Sequence, residues 1–137
     1  MNMSLKHILL VDDEKAILQS LSEGLESFDG EFDVLTAGNG REALEIFRSG
    51  RRIDLLVTDL KMPEMDGFEL LAHVKKNFPT IPVIVLTGLI TPEIKEQLKA
   101  IGDCACFEKT MGIGKLWQKI IEKLRLHSAQ EENKRPK

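Results

Sequence analysis

Three stretches of the chain are apolar at consecutive positions rather than alternate ones: Ile8-Leu9-Leu10-Val11, Leu55-Leu56-Val57 and Val83-Ile84-Val85-Leu86. A strand covered on both faces, as in a parallel sheet, carries this pattern, whereas a half-exposed strand alternates. Each run stops abruptly on polar residues, at Asp12-Asp13-Glu14, at Asp59 and at Thr87. Phe32 to Ala37 is less uniformly apolar and predicts an edge strand, and Cys104 to Glu108 predicts a short fifth strand ending at Lys109. Helical spacing fills the gaps. Ile17, Leu21, Leu25 and Phe28 form one inward face, and Asn39 followed three residues later by Glu42 has the spacing of a capping box opening a helix through Phe47. Asp66 and Glu69 repeat that spacing before Phe68, Leu71 and Val74, a helix that Phe78-Pro79 ends. Thr91-Pro92 supplies an N-cap and first-turn proline for Ile94, Leu98 and Ile101, with Gly102 as the stop. A last helix carries Ile113, Leu116, Trp117, Ile120 and Leu124 and is predicted to end near His127.

Five strands alternating with five helices through short connections predict a doubly wound parallel sheet with helices on both faces. The three uniformly apolar strands belong in its interior, which gives the order 2-1-3-4-5 of the flavodoxin-like class and a switch point between the first and third strands. One domain is expected over residues 1–127. The segment 128–137, with no apolar residue beyond Ala129, is expected to be a mobile charged tail.

The 137 residues are 42% hydrophobic and 30% charged with a net charge of −3, which suits one soluble domain and leaves no room for a second. The absence of a clustered basic stripe argues against direct nucleic-acid binding, so proteins are the expected partners. Ile81 to Ile90, the longest mostly apolar stretch, falls far short of the ~20 residues a membrane helix needs, and no membrane insertion is expected. Asp12 and Asp13 interrupt any signal-peptide core, and the chain is expected to be cytoplasmic. Cys104 and Cys106 alternate with alanine, so they would share one face of a strand, poorly placed to bridge each other and expected as buried thiols.

Open parallel sheets carry their chemistry outside the carboxyl ends of the strands. There Asp12, Asp13 and Asp59 would converge on one crevice, with Thr87 and Lys109 entering from neighbouring strand ends. Each has a plainer explanation: Asp59 could terminate its strand, Asp13 could cap the following helix, Thr87 could bond its own loop, and Lys109 could be an ordinary surface lysine. Together they are harder to explain so. Three carboxylates repel one another unless a cation joins them, and oxygen ligands favour Mg²⁺. With a metal, Asp59 as nucleophile, Lys109 as positive charge and Thr87 as hydroxyl donor, the crevice has the parts that phosphoryl transfer requires. Asp66 is expected to be structural.

Asp12-Asp13, the run Asp59-Leu60-Lys61-Met62-Pro63, Thr87-Gly88 and Lys109 together resemble the signature of the bacterial response-regulator receiver family over roughly residues 5 to 127. The resemblance implies that Asp59 is phosphorylated by a sensor histidine kinase, a phosphotransfer protein or a small acyl phosphate. It implies that Mg²⁺ is held by Asp13, Asp59 and the backbone carbonyl of Lys61, with Asp12 helping through water. Thr87 would turn inward to bond the phosphoryl group and shift the surface of the fourth helix, fifth strand and fifth helix, which a downstream protein reads.

Two positions depart from that pattern. Cys106 stands where relatives usually carry an aromatic, while Phe107 falls on the opposite face of the strand and is expected to serve the core. Thr110 stands where a cis proline is usual, and its peptide bond is expected to be trans. A haloacid-dehalogenase-type phosphatase would want a second aspartate where Lys61 stands, and a flavodoxin would have to cradle phosphate on the acids after the first strand. The remaining alternative is a receiver-like interaction module that works without phosphorylation.

Overall fold

The computed structural model describes residues 6–26, 32–62, 65–102 and 104–134, with backbone alone for residues 25, 26, 113 and 126–134. The elements are β1 (Lys6–Val11), α1 (Lys15–Glu26), β2 (Phe32–Ala37), α2 (Gly40–Arg48), β3 (Leu55–Thr58), α3 (Gly67–Asn77), β4 (Val83–Thr87), α4 (Pro92–Ile101), β5 (Ala105–Glu108) and α5 (Ile113–Lys134). All strand pairs are parallel and the order is β2-β1-β3-β4-β5, the doubly wound arrangement that the apolar pattern predicts. Every residue of β3 and β4 is buried, whereas β5 is half-buried throughout and β2 mostly so, as edge strands should be.

Alternate side chains feed two cores. Leu9, Val11, Leu56, Val83 and Val85 pack with Phe47, Leu70, Leu71, Val74 and Leu98 beneath α2, α3 and α4. Ile8, Leu10, Leu55, Val57, Ile84 and Leu86 pack with Leu21, Leu116, Ile120 and Leu124 on the other face, beneath α1 and α5. Leu56 is fully buried in the first core, where truncation to alanine would cost about 2–5 kcal/mol. Cys106 joins that first core and Phe107 the second, so β5 alternates as expected.

The caps follow the sequence signals. Asn39 accepts the Glu42 N–H at 2.9 Å, Asp66 the Glu69 N–H at 2.9 Å, and Thr91 the Ile94 N–H at 3.2 Å. The Glu42 carboxylate accepts the N–H of Gly38 rather than that of Asn39, so the reciprocal half of that box is displaced by one residue. Gly102 stops α4 at φ 150°. On the opposite side of the sheet Gly24 of α1 lies directly beneath the Trp117 ring of α5, and a Cβ there would overlap it.

Several boundaries differ from the sequence reading. β5 begins at Ala105 rather than Cys104, and both cysteines are half-buried rather than buried, because an edge strand is covered incompletely. Neither is in a disulfide. α5 continues past His127 to Lys134, so most of the expected tail is helical. Apolar periodicity ends before this helix does because glutamate, glutamine, alanine and lysine extend a helix without an inward face. Phe28, Pro63 and the side chains of Leu25 and Ile113, all used in the sequence reading, lie outside the described residues. Among the described residues no peptide bond is cis, so Lys109–Thr110 is trans, and no helix is long and apolar enough to cross a membrane.

Candidate functional site

Strand register assembles the site. Val11 pairs with Thr58, so the next residues, Asp12 and Asp59, leave neighbouring strands side by side. The Asp59 N–H donates to the Val11 carbonyl at 3.0 Å and the Asp12 N–H to that of Ala37 at 3.1 Å, extending the ladder one step beyond the strands. Thr87 pairs with Glu108 in the same way, which places Lys109 at the adjacent rim. Asp12, Asp59 and Thr87 are only 4%, 6% and 2% exposed. Such burial of carboxylates requires partners.

Lys109 is the main partner. Its Nζ lies 2.8 Å from Asp12 Oδ2, 2.9 Å from Asp59 Oδ2 and 3.0 Å from Glu14 Oε1. Burial opposes the ammonium, but the hydrogen bonds to Asp12, Asp59 and Glu14 outweigh it and hold the Lys109 pKa above its ordinary value. Asp12 is pushed up by burial, against the pull of its bonds to Lys109 and the Glu14 N–H. The second oxygen of Asp59 is held by backbone: Oδ1 accepts the Leu60 N–H at 2.7 Å and a longer bond from the Lys61 N–H at 3.4 Å. Asp59 is therefore fixed in orientation at both oxygens.

Asp12, Asp13, Glu14 and Asp59 each bring one carboxylate oxygen to within 4.8 Å of the others. Four acids around a single ammonium leave net negative charge, and the donors are all hard oxygens, so the set fits a divalent cation such as Mg²⁺. Asp13, which is exposed, lines the cleft beside Asp59, Lys61, Thr87 and Lys109. Asp12 sits behind it and also orders the turn into α1 by accepting the Glu14 N–H at 2.9 Å.

Asp13, Asp59, Lys61, Thr87 and Lys109 thus line one cleft, Asp12 joins them through Lys109 and the carboxylate cluster, and Asp66 stays apart as a helix cap. Two participants escaped the sequence reading. Glu14 joins the cluster through Lys109, and the acidic run Asp12-Asp13-Glu14 was its only signal. Gly67 lets α3 begin against the Asp59 backbone, donating its N–H to the Leu60 carbonyl at 2.8 Å.

The model of the response regulator receiver domain matches residues 8–121, and the chain belongs to that family. Among curated relatives it is 42% identical over 82 residues to transcriptional regulatory protein GlrR of Escherichia coli (strain K12), covering 60% of this chain and 18% of that protein. It is 41% identical over 81 residues to response regulator MprA of Mycolicibacterium vanbaalenii, covering 59% and 34%. The match thus spans about a third or less of these relatives' own length. Among solved structures, a CheY-like response regulator receiver domain protein from Methanospirillum hungatei superposes with a TM-score of 0.84 at 33% identity, over 93% of this chain and 99% of that one. The phosphorylated cyanobacterial phytochrome response regulator RcpA gives 0.76 at 29% identity, over 85% and 89%. The chain is a receiver domain of the two-component signalling class, a family of signalling proteins rather than classical enzymes.

Proposed function

We propose that Asp59 is a phosphoryl acceptor and that its Mg²⁺-dependent phosphorylation switches a protein-binding surface. The observation that carries this is the environment of the Asp59 carboxylate, oriented by the Leu60 N–H on one oxygen and the Lys109 ammonium on the other, at the edge of an open acidic cleft. An Asp59 oxygen would attack the phosphorus of a phosphohistidine or a small acyl phosphate. One P–O bond forms to Asp59, and the bond to the leaving group breaks with its electron pair departing on that group. Lys109 already lies within hydrogen-bond reach of the nucleophile and supplies positive charge to the transferred group. Thr87, at the end of the neighbouring strand, supplies the hydroxyl donor. Asp12, Asp13, Asp59 and the backbone carbonyl of Lys61 would hold Mg²⁺, with Glu14 close enough to contribute. When bound, the metal supplies the positive charge that lets an anionic donor approach these acids.

The partners on this reading are a sensor histidine kinase or phosphotransfer protein upstream and a protein target downstream. The target reads α4, β5 and α5, and the setting is cytoplasmic. The domain promotes gain and loss of its own phosphoryl group. Intact-mass measurement after acetyl phosphate and Mg²⁺ tests the assignment. One phosphoryl group should be added to the wild type and none to Asp59→Asn. Labelling that persists in the variant would move the site, and a wild type that never labels would favour an interaction module independent of phosphorylation.

A further inference from the structure

The loop between β4 and α4 runs from Gly88 to Thr91 and is tied at an unexpected place. The Ile90 N–H donates to Glu108 Oε2 at 3.0 Å, a bond that reaches from the loop to the last residue of β5. Glu108 is half-buried and pairs with Thr87 in the sheet register. It shares its strand face with Cys106, which packs on the α4 side. Beyond Ile90 the chain is fixed again, since Thr91 caps α4 and its carbonyl accepts the Lys95 N–H at 3.0 Å.

The strand order turns this bond into a constraint on movement. β4 lies between β3 and β5, so Asp59 stands on one side of the loop and Glu108 on the other. A shift that carries Thr87 and the following residues toward Asp59 draws Ile90 away from Glu108. We propose that Glu108 is a latch that holds the β4–α4 loop back from Asp59 in the unphosphorylated protein and so sets how readily the switch responds. Glu108 acts through Ile90 as a positioning residue and takes no part in the chemistry. This inference deepens the phosphoacceptor reading and rests on it for its second readout alone.

The test compares the full chain with Glu108→Ala and Glu108→Gln by amide NMR, first without any phosphate analogue and then in a titration with beryllofluoride and Mg²⁺. In Glu108→Ala the Ile90 amide should shift and exchange with solvent faster. Half-saturation should fall by about threefold or more, the scale on which one part-buried hydrogen bond biases a two-state loop. Glu108→Gln keeps a neutral acceptor oxygen and should fall between. An Ile90 amide that is unchanged in both variants overturns the latch. So does an Ile90 amide that is released with no change in half-saturation, because the bond would then be merely structural. If the wild type shows no response to beryllofluoride, the phosphoacceptor reading fails, and the Ile90 amide still decides whether Glu108 restrains the loop.

Discussion

Gly67 has no Cβ, and the Asp59 carbonyl oxygen occupies the place one would take. The start of α3 can therefore lie against the strand end that presents the candidate acceptor. Alanine at position 67 would have to displace backbone rather than a pliable side chain. Gly67→Ala should lower stability by about 1–3 kcal/mol, the usual cost of overpacking. It should also slow labelling of Asp59, because the Leu60 N–H that orients the carboxylate is part of the backbone that moves. Urea unfolding and acetyl phosphate labelling of the variant check both, and full stability with full labelling would contradict the close-packing account.

Asp13 and Asp12 should respond differently to deletion. Asp13 is exposed on the cleft, whereas Asp12 is buried against Lys109 at 2.8 Å. Asp13→Ala relieves repulsion among the acids, so it should abolish Mg²⁺ binding by calorimetry without lowering the metal-free melting temperature. Asp12→Ala removes a partner of the half-buried Lys109 ammonium and should lower that temperature. Unchanged Mg²⁺ binding in Asp13→Ala would exclude it as a ligand.

Burial, then the neighbouring Cys104, raises the Cys106 pKa above the ordinary 9.0, with Lys95 opposing and Glu108 adding a smaller push. A folded-state pKa above the unfolded one means that the native thiol keeps its proton longer. Its contribution to stability is complete below the ordinary thiol value and declines as pH rises through that value toward the folded one. The urea midpoint of the wild type should therefore fall relative to Cys106→Ala as pH rises through the ordinary thiol value of 9.0 and above it. The comparison is needed because Lys109, whose pKa is also raised, weakens stability at still higher pH in both proteins. A constant difference across that window would mean that Cys106 titrates as it does in the unfolded chain.

Lys61 and Leu89 line the cleft. Leu89 offers a water opposite Asp59 no hydrogen bond, and the Lys61 ammonium, a donor only, would pair with phosphoryl oxygens rather than orient that water for attack. Leu89 is 65% exposed at the rim, where it can fold over the phosphoryl group but accept no hydrogen bond. Replacing Leu89 with Glu and Lys61 with Asn should accelerate loss of the phosphoryl group severalfold or more, followed by mass or by phosphate release. Equal lifetimes in the two proteins would show that these side chains do not govern water access.

The uniformly apolar runs were enough to define the sheet and its order, because only a strand buried on both faces tolerates such sequences. The acids of the site were legible for the same reason: each ends one of those runs, and parallel register carries them to one rim. Interactions that depend on side-chain reach were not. Glu14 read only as the third acid of the run that ends β1, and nothing in that run marks Lys109 as its partner. Glu108 looked like the polar end of an edge strand, and nothing in the alternation of β5 marks Ile90 as its partner. Gly67 escaped notice, since a close approach between backbones leaves no trace in apolar periodicity. The end of α5 was missed because its sequence carries helix propensity without apolar periodicity.

Trp117 is the only tryptophan in the chain, and it rests on Gly24 in the core beneath α1 and α5, on the face of the sheet opposite α4. Its emission therefore reports the docking of those two helices. Unfolding should change it strongly, while rearrangement of the β4–α4 loop and the α4 face should leave it nearly silent. A flat tryptophan signal on adding a phosphate analogue is thus what a rearrangement confined to the β4–α4 loop and α4 should give, and following it optically calls for a second tryptophan placed near α4.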